Sequence, residues 1–224
     1  ERYGLRSAPV VDADKRLVGV VTVDDVVEVI EQEADSEIKR LGGVGDEAVT
    51  DNVREIVQLR FTWLFVNLLT AILASAVIKR FSATIEQMVA LAVLMPIVAS
   101  MGGNAGTQTM TVAVRALATR ELGPKSVPRV VMREAAVGLI NGLAFAAIMA
   151  LVALFWFGSG TLGIVIALAM IINLCAAALA GILIPIALDR LGFDPAVAST
   201  VFVTTVTDVV GFLAFLGLAA LWLT

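Results

Sequence analysis

The chain has 224 residues, 59% of them hydrophobic, and its mean hydropathy of +0.93 excludes an ordinary soluble domain, which is roughly 45–50% apolar. With no histidine and a single cysteine, Cys175, it can form neither an internal disulfide nor a histidine-based catalytic site, so any bound metal must be held by oxygen. Residues 1–60 carry 14 of the 20 acids and 8 of the 16 bases, a net charge of −6 that separates an acidic head from an apolar body.

The chain opens with a short predicted β-hairpin over residues 8–22. Apolar runs at 9–11 and 17–21 flank the turn-forming segment Asp12-Ala13-Asp14-Lys15, a pattern typical of two strands joined by a tight turn. This pattern begins at once, with neither an initiator methionine nor a signal peptide, so we expect the chain to be a fragment that lacks an N-terminal part.

An acidic amphipathic helix is predicted next, from Asp24 to Leu41. Thr22 followed three residues later by Asp25 is a capping-box pattern, and Gly42-Gly43 ends the apolar periodicity. Carboxylates cover the opposite face and suit hard divalent cations, so this face is a candidate cation sensor; the alternative is an ordinary solvated surface. Its acids are Asp25, Glu28, Glu31, Glu33, Asp35 and Glu37.

Five membrane spans follow, led in by an amphipathic segment that starts near Asp46. A span needs about 20 apolar residues, so the run of 54 residues without a charge, from Ala135 to Leu188, contains two spans. The predicted fold class is therefore an all-α membrane protein with five transmembrane helices. We place the spans at residues 61–78, 86–101, 135–157, 163–188 and 196–223.

Loop charges predict the orientation, because cytoplasmic loops carry an excess of Lys and Arg. The loop around residues 158–163 has no such residue, whereas Lys79-Arg80 on the predicted outer side are an exception. The loop after the second span has five: Arg115, Arg120, Lys125, Arg129 and Arg133. We therefore expect a cytoplasmic N-terminus.

Asp208 lies deep in the last predicted span, where a carboxylate is costly unless it faces water, a partner or an ion. Thr200, Thr204 and Gly211 fall on the same helical stripe, which has the character of a pore lining. The alternative is a protonated carboxyl group that hydrogen-bonds between helices.

The second span ends in a segment rich in proline, glycine and polar residues, from Pro96 to Thr109. Such a segment can free backbone carbonyls to bind an ion where it lines a cavity. Alternatively, Gly102 and Gly106 form a GxxxG pair that lets two helices pack closely. Asparagines in three other spans are candidates for hydrogen bonds between helices or for the ion path, with Asn173 the strongest: Asn67, Asn141 and Asn173.

Two segments resemble a known family. Residues 16–26 resemble the closing strand and helix of a CBS domain, and residues 102–108 with 115–122 resemble the signature of MgtE magnesium channels. The likeness continues through residues 192–196 and Thr207-Asp208. It divides the chain into a CBS remnant at 1–23, an acidic plug and connecting helix at 24–60, and a pore domain at 61–224.

The resemblance implies a homodimer in the bacterial inner membrane, with a pore on its two-fold axis where Asp208 of each subunit faces a hydrated Mg²⁺. It also implies that helix 24–41 is a plug whose carboxylates bind regulatory Mg²⁺ and close the pore when cytoplasmic Mg²⁺ is high. The carboxylates carried over are Asp25, Glu28, Glu33 and Glu37. We expect the complete regulatory network to need the family's N-terminal domain and first CBS repeat, which precede this region.

Together, pattern and resemblance give a predicted pore site for Mg²⁺, with Co²⁺ or Mn²⁺ as further candidate ions. Its metal-contacting residues are Asp208, Gly102, Gly103, Asn104, Thr204 and Gly211, and its further lining residues are Thr200, Thr207 and Asn173. The expected partners are a second copy and the lipid bilayer, with no nucleic acid.

Two rival functions stay open: a cation-coupled secondary transporter of divalent metals, and a membrane-anchored CBS sensor whose spans only dimerise. Asp208 weighs against the sensor, since an anchor has no use for a buried charge. An enzyme is not expected, because the spans offer no second acid and no nucleophile paired with a base.

Overall fold

A computed structural model describes residues 6–42, 44, 52–123 and 126–223. Five of its helices are long and apolar enough to cross a membrane, which confirms the predicted fold class. Along the chain the elements are β1 (Ser7–Val11), β2 (Leu17–Thr22), α1 (Val23–Leu41), α2 (Val53–Arg80), α3 (Ser82–Gln87), α4 (Ala90–Ala118), α5 (Val127–Phe157), α6 (Gly160–Arg190) and α7 (Pro195–Trp222). The candidate spans are α2, α4, α5, α6 and α7.

The N-terminal hairpin and helix form as the sequence predicts. Strands β1 and β2 pair antiparallel, and α1 starts with a complete capping box. The Thr22 backbone amide donates to Asp25 Oδ2 over 2.7 Å, and the Asp25 amide donates to Thr22 Oγ1 over 3.3 Å. The Thr22 backbone amide and then its hydroxyl stabilise the carboxylate, so the pKa of Asp25 is lowered from its usual value.

Three helices extend well beyond the predicted spans, and one of them is α5, which begins at Val127 rather than at residue 135. Helix α4 continues through the glycine segment to Ala118 with Pro96 inside it, so this backbone stays helical rather than opening. Proline removes one intrahelical bond, and two of the glycines, Gly102 and Gly106, are held by close packing on α6 and α7. Helix α2 joins the lead-in from Val53 to the first span in one helix; the start of that lead-in, near Asp46, lies outside the described residues.

Helix α6 is the centre of the membrane region and packs against α4, α5 and α7. Glycines allow the close contact with α5: a Cβ at Gly138 would lie 2.7 Å from the Ala178 Cβ, and one at Gly142 would lie 3.1 Å from the Ile171 Cα. Helices α5 and α6 are joined by a very tight connection in which Gly158 adopts the left-handed conformation, with a φ of 65°.

Helix α2 is peripheral. It packs mainly on α7, and its apolar side chains are exposed along nearly its whole length. In a membrane protein such a surface is suited to lipid or to another membrane helix.

Candidate functional site

Asp208 is half-buried on α7, and within the described part of the chain its carboxylate takes part in no hydrogen bond or ion pair. The two threonines of the predicted stripe, Thr200 and Thr204, are also half-buried, and both of their hydroxyl groups have partners. Thr204 Oγ1 donates to the Thr200 carbonyl over 2.9 Å, and Thr200 Oγ1 lies 3.7 Å from Met110 Sδ on α4. The carboxylate is therefore not held by another helix of the same chain.

A second polar stripe lies on α4; the sequence analysis named one of its members, Asn104, but did not recognise the stripe. Its members are exposed and recur every three or four residues: Ser100, Asn104, Thr107, Gln108 and Thr111. Two of its hydroxyl groups return to their own helix, since Thr107 Oγ1 donates to the Gly103 carbonyl and Thr111 Oγ1 to the Thr107 carbonyl. The signal was present as helical spacing, but it was obscured by the glycines and proline of the same segment.

Helices α4 and α7, which carry the two stripes, pack directly on each other. A Cβ at Gly106 would lie 2.6 Å from Val203 Cγ1 and 3.4 Å from Thr207 Cγ2. Thr207 is fully buried in this contact, and its hydroxyl donates to the Thr204 carbonyl over 3.0 Å. The structure thus places this predicted lining residue inside the helix contact.

Three further predicted site residues meet at one junction. The Asn173 side chain of α6 lies between Gly102 of α4 and Gly211 of α7, and it is 1% exposed. Its Nδ2 donates to the Val98 carbonyl over 2.8 Å. Of the other asparagines, Asn67 and Asn141 are exposed. A contribution of the glycine carbonyls at this junction to an ion site stays a prediction.

The acidic helix α1 reaches the membrane helices through one ion pair. Arg40 Nη1 lies 3.2 Å from Asp194 Oδ2, while Asp194 Oδ1 accepts the Ala196 amide at the start of α7 over 2.9 Å. A cavity of about 380 Å³ lies beside this pair, lined on the α1 side by Glu33 and on the α4 side by Arg115. One carboxylate therefore contacts both the acidic helix and the last span.

The predicted regulatory carboxylates that the structure describes are not gathered into a metal site. Asp25, Glu28 and Glu33 are exposed, and the Glu37 side chain lies outside the described residues. Among the residues that are described, no three acidic or cysteine side chains come together as a metal-binding group.

Glu134 is a partly buried charged residue that the sequence analysis did not single out. Its side chain is 12% exposed, Oε1 pairs with Arg133 Nη2 over 2.9 Å, and Oε2 accepts from Thr109 Oγ1 of α4 over 3.3 Å. It links the start of α5 to α4. Glu134 directly precedes the uncharged run, so position alone did not set it apart from the other loop charges.

Two protein-family models match parts of this chain. The family model described as "MgtE: Divalent cation transporter" matches residues 95–218, which include both polar stripes, and a CBS domain model matches residues 1–32. The chain belongs to the MgtE family of divalent cation transporters. It is an integral membrane protein of that family, and the resemblance found in its sequence is confirmed.

Three curated MgtE relatives, each named "Magnesium transporter MgtE", align with nearly the whole chain. The protein of Bacillus subtilis is 34% identical over 98% of the chain, that of Enterococcus faecalis 36% over 99%, and that of Thermus thermophilus 38% over 99%. The chain spans about half the length of these relatives, from 49% to 50%.

Proposed function

We propose that two copies of this chain form a Mg²⁺-selective channel that imports magnesium across the bacterial inner membrane. The observation that carries the proposal is Asp208, a carboxylate within a membrane helix that no described residue of its own chain pairs with. An unpaired charge at this depth is costly in lipid, and a cation or its water shell offsets that cost. The relatives are named for magnesium transport, which supports Mg²⁺ as the ion.

The chemistry of Mg²⁺ favours this arrangement. The ion sheds its waters reluctantly and is usually held through several of them by one or two carboxylates, rather than by a full cage of protein ligands. One Asp208 from each of two copies supplies two carboxylates. Thr204 and Thr200 continue the polar surface of α7 towards its N-terminus.

The α4 stripe supports a water-filled path between copies. Asn104 and Gln108 are exposed amides on a helix that otherwise suits a membrane. Asn104 Nδ2 donates to Ser100 Oγ over 3.4 Å, but in lipid the other polar groups of these two amides would be unsatisfied. A second copy related by two-fold symmetry would enclose such surfaces on α4 and α7. The homodimer is thus part of the proposal.

The proposal also includes the orientation of the chain in the membrane and the regulation of the path by α1. The basic residues from Arg115 to Arg133, at the facing ends of α4 and α5 and between them, support a cytoplasmic N-terminus. In that orientation α1 is cytoplasmic and joined to α7 through Arg40 and Asp194. We propose that Mg²⁺ bound by Asp25, Glu28, Glu33 and Glu37, with the rest of the cytoplasmic region, holds α1 where it closes the path.

The decisive experiment measures Mg²⁺ uptake into liposomes that contain matched amounts of folded protein with Asp208 or with Asp208→Asn. The amide keeps the size of the carboxyl group and removes its charge, so we expect uptake to fall by about tenfold or more, which corresponds to about 1.4 kcal/mol of lost ion stabilisation. Glu86→Gln, at an exposed position of α3, is the matched control and should transport normally. Near-normal uptake by Asp208→Asn would remove Asp208 from the path.

The same liposomes separate a channel from a coupled carrier. A channel conducts Mg²⁺ down its own gradient with no Na⁺ or proton gradient present. Uptake that depends on such a second gradient would replace the channel by the cation-coupled transporter.

A further inference from the structure

The Asn173 side chain occupies a notch between two glycines on different helices. A Cβ at Gly211 would lie 2.7 Å from its Nδ2 and 3.0 Å from its Cγ, and a Cβ at Gly102 would lie 2.8 Å from its Cγ. Contacts this short are not tolerated, so any larger residue at either position must displace the amide or separate the helices. The Asn173 side chain of α6 is therefore a spacer between α4 and α7.

Packing alone does not account for an amide at this place. Asn173 is almost fully buried, and although Nδ2 donates to the Val98 carbonyl, Oδ1 has no partner among the described residues. An unpaired buried acceptor is destabilising, whereas an aliphatic side chain would fill the same space without that cost. The amide therefore calls for an explanation beyond stability.

The position of the notch, close to the proposed ion path, explains why an amide is present there. Gly211 is three residues from Asp208 on α7, and Gly102 is two residues from Asn104 on α4, so the spacer lies within about one turn of both proposed ion-facing residues. A change in the spacing of α4 and α7 at this level moves Asp208 relative to Asn104. The positions of both residues relative to a hydrated ion on the path between the two copies change accordingly.

We propose that Asn173 is a positioning residue that sets the separation of α4 and α7 and thereby the preference of the ion path for Mg²⁺ over a larger divalent cation such as Ca²⁺. This inference rests on the proposed ion path. Asn173 acts through Asp208 and the α4 stripe, and it does not itself contact the ion.

The test is a double-mutant cycle with Asn173→Ala, Gly211→Ala and their combination. Asn173→Ala removes the spacer, and Gly211→Ala forces a methyl group against the Asn173 amide. We expect each single variant to lower the ratio of Mg²⁺ to Ca²⁺ uptake several-fold at matched amounts of folded protein. In the combination the two changes occupy the same notch, so we expect a smaller loss than the product of the two single losses.

Controls separate positioning from mere support of the fold. Asn141→Leu replaces an exposed asparagine of α5 and should leave the uptake ratio unchanged. If Asn173→Ala does not fold, Asn173→Ser gives a smaller spacer that retains a donor. An unchanged uptake ratio in the folded Asn173 variants, or independent effects at the two positions, would overturn the proposal.

The Asp208→Asn experiment keeps this inference distinct from the proposed function. Normal uptake by Asp208→Asn would reject the proposed path whatever the result at Asn173. Loss of uptake in Asp208→Asn, together with an unchanged ratio in the Asn173 variants, would retain the path and reject only the positioning role.

Discussion

The helix pairs α5–α6 and α4–α7 are both apolar and both closely packed, yet they differ in where their polar groups lie. At the α5–α6 contact, glycines such as Gly138 and Gly142 bring the backbones together, and polar stripes do not occur on the described faces that meet there. Helices α4 and α7 also meet at a glycine, Gly106, but each presents polar groups away from that contact.

We interpret this difference as a division between a helix pair that supports the fold, α5–α6, and a helix pair that lines the proposed ion path, α4–α7. In a bilayer, lipid is as apolar as a leucine side chain, so helices associate through close packing rather than through burial of apolar surface. A helix pair that only supports the fold therefore needs small residues and no stripe of exposed polar groups; α5 exposes Asn141, which belongs to no such stripe. A continuous polar stripe on a packed membrane helix indicates a second use of that surface.

The largest effect is expected at the supporting pair, with Gly138→Val on α5. The new side chain would collide with Ala178 and with the Leu174 carbonyl, and overpacking of this kind costs about 1–3 kcal/mol. We expect most of the folded protein to be lost, as measured by the monodisperse fraction after purification, while the molecules that fold keep their ratio of Mg²⁺ to Ca²⁺ uptake.

Leu139→Val is the control for this prediction, because Leu139 is exposed one position further along the same helix. It should leave the folded fraction unchanged. A changed uptake ratio in folded Gly138→Val protein would contradict the division between a supporting pair and a transporting pair.

On α4 we expect a smaller effect, on Mg²⁺ uptake rather than on the folded fraction. The double variant Asn104→Leu and Gln108→Leu makes the exposed stripe apolar without filling any packed contact. If the stripe lines a wet path, Mg²⁺ uptake should fall several-fold while the folded fraction is unchanged, since an apolar constriction excludes water and ions.

If the α4 stripe faces lipid instead, the same double variant should give the opposite result. Leucines facing lipid would be neutral or stabilising, and uptake would stay normal. Asn141→Leu on α5 provides the comparison, because that exposed asparagine lies outside both stripes.

The smallest effect concerns the link between α1 and α7. Arg40→Gln removes an ion pair whose side chains are each 41% exposed, and such pairs are worth about 0–1 kcal/mol. We expect the Mg²⁺ concentration that half-closes the path to rise, by a factor on the order of five at most. Lys39→Gln removes the same charge from the neighbouring residue, and an equal shift there would show that net charge rather than the Asp194 contact is responsible.

The sequence was sufficient for features that depend on composition and on neighbouring residues. The five spans come from long apolar runs, and the capping box comes from two residues three positions apart; both are confirmed. Asp208 could be singled out as a candidate site residue because a single charge in an apolar helix is apparent from the sequence alone.

The sequence was insufficient where distant segments meet. The bond from Asn173 to Val98 joins residues 75 positions apart, so no local spacing indicates that Gly102 and Gly211 share one amide. The continuity of α4 is another such case, since neighbouring helices hold a segment whose proline and glycines suggested an open backbone. Tertiary packing decided both outcomes.

The position of Asp194 at the start of α7 means that a movement of α1 can tilt α7. Asp194 caps α7 while it pairs with Arg40, and Asp208 lies 14 residues further along the chain, about 21 Å away at the rise of an α-helix. A tilt of α7 by about 5° about its capped end would swing Asp208 through about 2 Å, while hydrogen bonds tolerate only about 0.5 Å of variation in length. In the proposed ion path, a small displacement of α1 would thus be sufficient to break contact between Asp208 and the water shell of an ion.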